Sequence, residues 1–408
     1  MDDVAAAIPP AFPMPRTCPV DPPAGYAKIA AEQPISKVTL PTGRTAWLIL
    51  GHDYLRQILA DSRVSVNRLD PAYPHLVEMD GQAMGAISLV SKSLVGLDPP
   101  EHTVHRRMLI NEFTVKKLAA MRPRIQAIVD ECIDNLLKQE QPADLVTALS
   151  LPVPSLVICD LLGVPYTDHG FFQERTLVAF NRKSTQMERM QAGAGLLMYM
   201  DKLVTGKEAA PSDEDLIGRL ITKYREAGNY DHAHLVGLSM LLLMAGFETT
   251  ANMISLGTLS FIQNPDQLAK LTDDGTLAVR AVDELLRYLS IVDVSGGSRV
   301  ALDDIEIGGV TIRKGDGIIA LLSGANRDPG HYERPDTFDI DRGAKSHVAF
   351  GYGIHQCLGQ NLARLELEIV YRTLFERVPT LRLAVPVSEL PLKDEASIYG
   401  LAEMPVSW

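Results

Sequence analysis

The sequence predicts a mainly α protein with small β-sheets, and three observations carry that expectation. Apolar residues recur with a helical period over most of the 408 residues. One stretch, from about Asp231 to about Gln263, is apolar on nearly all faces and would run roughly 50 Å as a helix. The β signals are short and lie toward the two ends. Val38, Leu40, Trp47 and Ile49 surround Pro41-Thr42-Gly43, and Val310 to Ile312 with Gly317 to Leu321 flank Lys314-Gly315; each reads as a hairpin.

The helices follow in order. Asp98-Pro99-Pro100 opens one with proline in its first turn, and Leu109, Phe113 and Leu118 continue its apolar stripe. Further helical patterns cover 115–138, 151–162, 192–205 and 215–227, the last begun by Ser212-Asp213-Glu214-Asp215. After the long stretch come helices at 279–289 and 360–377. The longest polar stretch, 205–215, is too short for a domain linker, so the expectation is a single domain over 1–408, helix-rich with β-rich N- and C-terminal parts.

Composition narrows the function. With 46% hydrophobic and 22% charged residues the chain can bury a sizeable core. Charges sum to 39 − 51 = −12, which argues against sequence-independent binding to nucleic acid. Cys18, Cys132, Cys159 and Cys357 form no CxxC pair and no zinc-type cluster, so a reducing compartment without disulfides is expected. The first residues carry Asp2 and Asp3 and no basic n-region, and no export signal is read there. The only stretch long enough for a membrane span, Leu235 to Ile262, contains Glu248 and Asn252; an ionisable group midway makes it a buried helix of a soluble, cytoplasmic protein.

Chemistry concentrates in Phe350-Gly351-Tyr352-Gly353-Ile354-His355-Gln356-Cys357-Leu358-Gly359, followed at once by a helix. Glycines let backbone N–H groups approach a sulfur, and the helix N-terminus favours its thiolate form. A lone cysteine beside turn glycines is more often a buried structural thiol, but the full spacing F-G-x-G-x-H-x-C-x-G outweighs that reading. The decamer resembles the haem-binding loop of the cytochrome P450 family. The resemblance implies that Cys357 is the proximal ligand of a haem b iron, that Phe350 packs on porphyrin and sulfur, and that Gly351, His355 and Gly359 belong to the cofactor site. The family fold sets a long central helix over a buried haem. Thiolate ligation goes with oxygen cleavage and not with oxygen transport.

Ala245-Gly246-Phe247-Glu248-Thr249-Thr250, inside the long helix, places an acid, alcohols and a glycine where apolar residues are expected. Glycine there would leave room for a diatomic ligand. The conservative alternative is a back-bonded threonine and a paired glutamate. The stretch resembles the family's oxygen-activation motif, which gives Glu248 and Thr249 catalytic roles in proton delivery and sets Ala245 and Gly246 beside the cofactor. Glu284-Leu285-Leu286-Arg287, with Arg342 in Phe338-Asp339-Ile340-Asp341-Arg342, resembles the family's buried ionic triad, a structural brace. His102 and Arg106, in the D-P-P-x-H-x-x-x-R pattern, resemble the residues that hold haem propionates, as do Arg299 and His355.

The resemblance runs from Phe12-Pro13-Met14-Pro15-Arg16 to Pro405-Val406 and is nearest to soluble actinomycete members. It implies a monooxygenase that hydroxylates a bulky hydrophobic molecule (polyketide, terpenoid, steroid-like or xenobiotic), in secondary metabolism or detoxification. By analogy the pocket takes the loop at 71–94, the segment at 171–185, Leu241 and Ala245, Val294 and Ser295, and Ile398. The chain has no GxGxxG after a strand and no Cys₄ cluster, so NAD(P)H acts only through partners, a ferredoxin and its reductase. Arg107, Lys345, His347, Arg364 and Arg372 make a basic cluster for an acidic ferredoxin. The protein is expected to be a monomer, with no nucleic-acid or membrane partner. A peroxide-driven enzyme is the runner-up, disfavoured by the intact Glu248 and Thr249; a non-catalytic gas-binding haem protein is disfavoured by the thiolate.

Overall fold

The computed structural model describes residues 8–78, 93–180, 184–294, 296–393 and 398–408. The chain divides into two units, each built from separated segments: residues 1–100, 287–337 and 346–357 form one, and 101–286, 338–345 and 358–408 the other.

The first unit is a sheet with short helices. Strands β1 (Ile35–Thr39) and β2 (Thr45–Ile49) form the expected hairpin, closed where Gly43 takes a φ of 74° in the turn. Helix α1 (His52–Ala60) follows, then β3 (Val64–Ser65), β4 (Ser298–Ala301), β5 (Ile305–Ile307), β6 (Val310–Ile312) and β7 (Gly317–Ala320). The five-stranded order is β1-β2-β7-β4-β3. Here one expectation is corrected. Val310–Ile312 pairs not with Gly317–Ala320 but with Ile305–Ile307, across Gly308-Gly309. Both glycines have positive φ, 56° and 80°, which suits the tight two-residue turn, whereas β7 joins β2 in parallel and β4 antiparallel. Ile35, Ile49, Leu55, Ile58, Ile318 and Val348 share one core cluster of this unit.

The second unit is helical. Its α2 (Glu101–Ile110) starts three residues after Asp98. Asp98 itself belongs to the first unit and accepts from Val66 N (3.0 Å) and Ser65 Oγ. The single pattern expected over 115–138 is two helices, Val115–Ala119 and Arg122–Leu137, because Pro123 restarts the chain at a new first turn. Later come α3 (Pro152–Leu162), α4 (Leu216–Glu226), capped by Asp215 Oδ1 on Gly218 N (2.9 Å), and the long α5 (His232–Gln263), capped by Asp231 on His234 N (2.8 Å). Helices α6 (Ala278–Leu289), which crosses the unit boundary, and α7 (Gln360–Arg377) complete the elements that bear on function. A small sheet of Ala143–Asp144, Pro405–Ser407 and Arg382–Leu383 belongs to this unit.

The long helix is the core element that its sequence predicts. Every residue from Thr250 to Phe261 is buried. Three hydroxyls of that buried stretch bond back into the helix: Ser255 Oγ donates to Asn252 O at 3.1 Å, and Thr258 Oγ1 to Ile254 O and Ser260 Oγ to Leu256 O, each at 2.8 Å. By length and composition this helix could also cross a membrane.

Candidate active site

In the first unit the cysteine loop is knitted by its own backbone. Gly351 N donates to Val348 O (2.8 Å), Gln356 N to Gly353 O (3.1 Å) and Cys357 N to Phe350 O (2.8 Å). Asn326 Oδ1 takes Val348 N at 2.8 Å, which fixes the start of the loop. Gly353 has a φ of 74°, and a Cβ there would lie 2.3 Å from Leu59 O at the end of α1, so only glycine fits. His355 ends the short helical turn Gly353–His355, and the Phe350 ring lies 5.7 Å from that of His347. This scaffold leaves the Cys357 side chain exposed, whereas Cys132 and Cys159 are buried with thiols pushed up to about 12 by burial. Cys18 is half-buried, so Cys357 is the most accessible of the four cysteines, and it sits in a backbone cradle.

Arg299, on β4 of the same unit, is 5% exposed, and its Nη1 donates to Ser298 O (2.8 Å) and Gly296 O (3.3 Å). No carboxylate among the described residues hydrogen-bonds it; burial lowers its pKa to about 10, against the pull of Tyr73 and Asp98. A buried guanidinium bonded only to neutral carbonyls is a site for an anion. Val294 is half-buried against the sheet core that includes Val38, Leu48 and Leu321, and Ser295 lies outside the described residues.

In the second unit, the stretch Leu241–Thr249 is less buried than the part of α5 that follows it. Met244 and Ala245 are exposed, and Leu241, Gly246, Glu248 and Thr249 are half-buried. Thr249 Oγ1 donates to Ala245 O at 2.7 Å, so the conservative alternative holds for the threonine. It fails for the acid. Glu248 makes no hydrogen bond or ion pair with the described residues, and burial raises its pKa, opposed only by Lys393. Lys393 is buried and donates to Asn252 Oδ1 (2.9 Å), one turn beyond Glu248. The sequence reading missed this lysine, which stands in a C-terminal loop outside any motif. At Gly246 a Cβ would meet Ile158 Cδ1 of α3 at 3.2 Å; this is a packing reason for glycine, different from the room for a diatomic ligand read from the sequence.

Helix α2 carries His102, 2% exposed, and half-buried Arg106. His105 between them stacks on His234 of α5 (ring centroids 3.8 Å) and meets Tyr224 Oη of α4 at 3.1 Å, which holds α2 to the start of the long helix. Below α2, buried Glu112 gathers Lys117 and Arg219 at 2.7 Å and also Lys223, which keep its pKa down at about 2 against its burial.

Of the ionic triad, Arg342 Nε donates to Glu284 Oε1 at 3.2 Å, and Asp339 N adds a bond of 3.0 Å to the same oxygen. Arg287, fully buried, donates to the carbonyls of Asn326 (2.9 Å), Pro335 (2.8 Å) and Thr337 (3.2 Å), within the segments that run toward the cysteine loop. Gly359 caps the start of α7, and Ile398 is half-buried. The expected basic cluster thins. His347 is buried, and Arg364 is paired with Asp283 at 2.9 Å, leaving Arg107, Lys345 and Arg372 exposed.

The comparisons agree with this chemistry. The model of the cytochrome P450 family matches residues 171–398. Pentalenic acid synthase of Streptomyces avermitilis is 47% identical over 406 residues, covering 99% of this chain and 98% of that protein. Vitamin D3 dihydroxylase of Streptomyces griseolus is 46% identical, covering 98% and 96%. The crystal structure of cytochrome P450 MoxA from Nonomuraea recticatena superimposes with a TM-score of 0.93 at 49% identity, covering 98% of each chain. Likeness of this extent, around a thiol presented in this way, means that the chain belongs to the cytochrome P450 family, as a monooxygenase whose cofactor is thiolate-ligated haem b.

Proposed function

We propose that this monooxygenase hydroxylates a bulky hydrophobic small molecule with O2, using electrons that a ferredoxin and its reductase pass on from NAD(P)H, and that it works in the cytoplasm as a monomeric single domain. The observation that carries the reading is the exposed Cys357 thiol in its rigid glycine loop. Haem b, when bound, supplies the redox-active iron at which dioxygen is reduced and cleaved. Cys357 would ligate it, with Phe350, Gly351, Gly359, Ala245 and Gly246 around it. Arg299 would hold a propionate, since its guanidinium is buried and its hydrogen bonds go only to carbonyl oxygens, and His102, Arg106 and His355 would complete the propionate donors.

Glu248 then holds the proton that dioxygen reduction consumes. Its raised pKa keeps it a donor further toward neutral pH than an ordinary carboxylate. Thr249 presents a hydroxyl oriented by Ala245 O. Leu241, Ala245, Val294, Ser295 and Ile398 would meet the substrate. Pentalenic acid and vitamin D3, in the names of two relatives, are in keeping with a hydrophobic substrate.

The test is reconstitution with ferredoxin, reductase and NADPH, with substrates first chosen by screening hydrophobic compounds for a haem spin-state shift. The expected product carries one oxygen atom from isotopically heavy O2, and reduction slows as salt rises and slows further in Arg372→Glu. Arg364 is unsuited to that variant because it is tied to Asp283. Product formed from hydrogen peroxide alone, with none from O2 and ferredoxin, would instead establish the peroxide-driven reading.

A further inference from the structure

A C-terminal hairpin of the second unit is seated on the long helix at a single side chain. Lys393 N donates to Gly400 O (2.9 Å), Ala402 N donates to Pro391 O (2.8 Å), and Leu392 bridges Leu401 antiparallel, so the two arms are joined. On one arm Lys393, 7% exposed, donates from its ammonium to Asn252 Oδ1 at 2.9 Å. On the other, a Cβ at Gly400 would lie 2.1 Å from the same oxygen. Only glycine lets the second arm come so close.

Asn252 stands four residues after Glu248, which puts the two on one face of α5 with their β-carbons about 5–6 Å apart. A buried ammonium is costly unless it is offset. Asn252 supplies a hydrogen bond but no charge, so it leaves the field of Lys393 uncancelled, and the next acid on that face is Glu248. Burial raises the pKa of Glu248, and Lys393 is the charge that opposes the rise. Helices α3 and α7 and the helix Gln186–Ala209 also pack on α5. Their acids are engaged elsewhere: Asp160 with Arg124 at 2.5 Å, and Asp201 and Glu208 with His232 at 2.9 and 2.6 Å, while burial pushes Glu366 toward its neutral form.

We propose that Lys393 is a positioning residue for proton delivery: anchored on Asn252, its ammonium stabilises the carboxylate that Glu248 becomes once its proton has left. This rests on the reading of Glu248 as the donor. When the O–H bond of Glu248 breaks, the proton goes toward the dioxygen being reduced and the electron pair stays on the carboxylate, which water later reprotonates. Without the cation the acid would hold its proton more tightly, and delivery would slow.

The experiment is an infrared pH titration of haem-loaded protein that follows the carbonyl stretch of protonated Glu248, identified as the band missing from Glu248→Gln. In Lys393→Gln, which keeps a donor for Asn252 but no charge, the midpoint should move to higher pH. Lys393→Met should move it the same way, and Lys393→Arg should keep the wild-type midpoint. In turnover with ferredoxin, Lys393→Gln should be several-fold slower with unchanged substrate affinity, and the falling limb of its pH profile should also move to higher pH. A Glu248 band that titrates alike in the wild type and in both neutral variants would overturn the proposal, whatever Glu248 does in turnover. A band that shifts while the pH profile of turnover stays put would uphold the hold of Lys393 on the acid and remove the donor role from Glu248 instead.

Discussion

Glu248 and Glu284 are both acids drawn toward the interior of helices in the same unit, and the protein treats them in opposite ways. Glu284 is fully buried and receives Arg342 and the Asp339 N–H on one oxygen, so its charge is neutralised where it sits. Glu248 is only half-buried, has no hydrogen-bond partner among the described residues, and has its pKa raised. A satisfied buried acid is a brace, because moving its proton would leave an uncompensated cation. An unsatisfied acid in reach of solvent can gain and lose a proton at small cost, which is what a proton donor requires.

The largest effect should come from the braced acid. Glu284→Ala strands Arg342 and should cost about 3–5 kcal/mol of stability, with haem lost in proportion. Denaturant unfolding and haem content measure it, and a soluble variant with full haem and native stability would remove the distinction drawn between the two acids.

Glu248→Gln should reverse that pattern, with stability little changed and turnover down by roughly 10²-fold. The sign of its pH dependence follows from the raised pKa. In the proposed role Glu248 donates while protonated, so the wild-type rate should fall as pH rises through its elevated pKa, and the Gln variant should lack that falling limb. Identical pH profiles in the two proteins would contradict the donor role.

The same contrast is drawn within one helix by two threonines, each back-bonded to a carbonyl one turn earlier. Thr258, in the buried half of α5, should cost about 1 kcal/mol when changed to alanine, without altering chemistry. Thr249→Ala, in the accessible stretch, should keep its stability within a few tenths of a kcal/mol but divert NADPH-derived electrons into hydrogen peroxide. Equal peroxide release from both variants would mean that position along the helix does not matter.

Much of this was legible in the sequence, for physical reasons. The long helix announced itself because a helix buried on most sides must be apolar all round, and the cysteine loop did so because its glycines and histidine occur at fixed spacing around one thiol. What escaped was set by contacts distant in sequence. Lys393 reaches Asn252 across 141 residues, and nothing local marks it. Arg364 pairs with Asp283, 81 residues away, and the hairpin at Lys314-Gly315 failed because Gly308-Gly309 supplied a tighter turn nearer to Val310. The packing of Gly246 on Ile158 likewise needs the neighbouring helix to be seen.

The most direct test of the central claim is the absorption spectrum of the reduced protein with carbon monoxide, recorded for the wild type and for Cys357→His. The wild type should give the long-wavelength band of a thiolate-ligated haem, and the variant should bind haem but show the shorter-wavelength band of imidazole ligation. A thiolate band that survives in Cys357→His would contradict the assignment of Cys357 as the haem ligand.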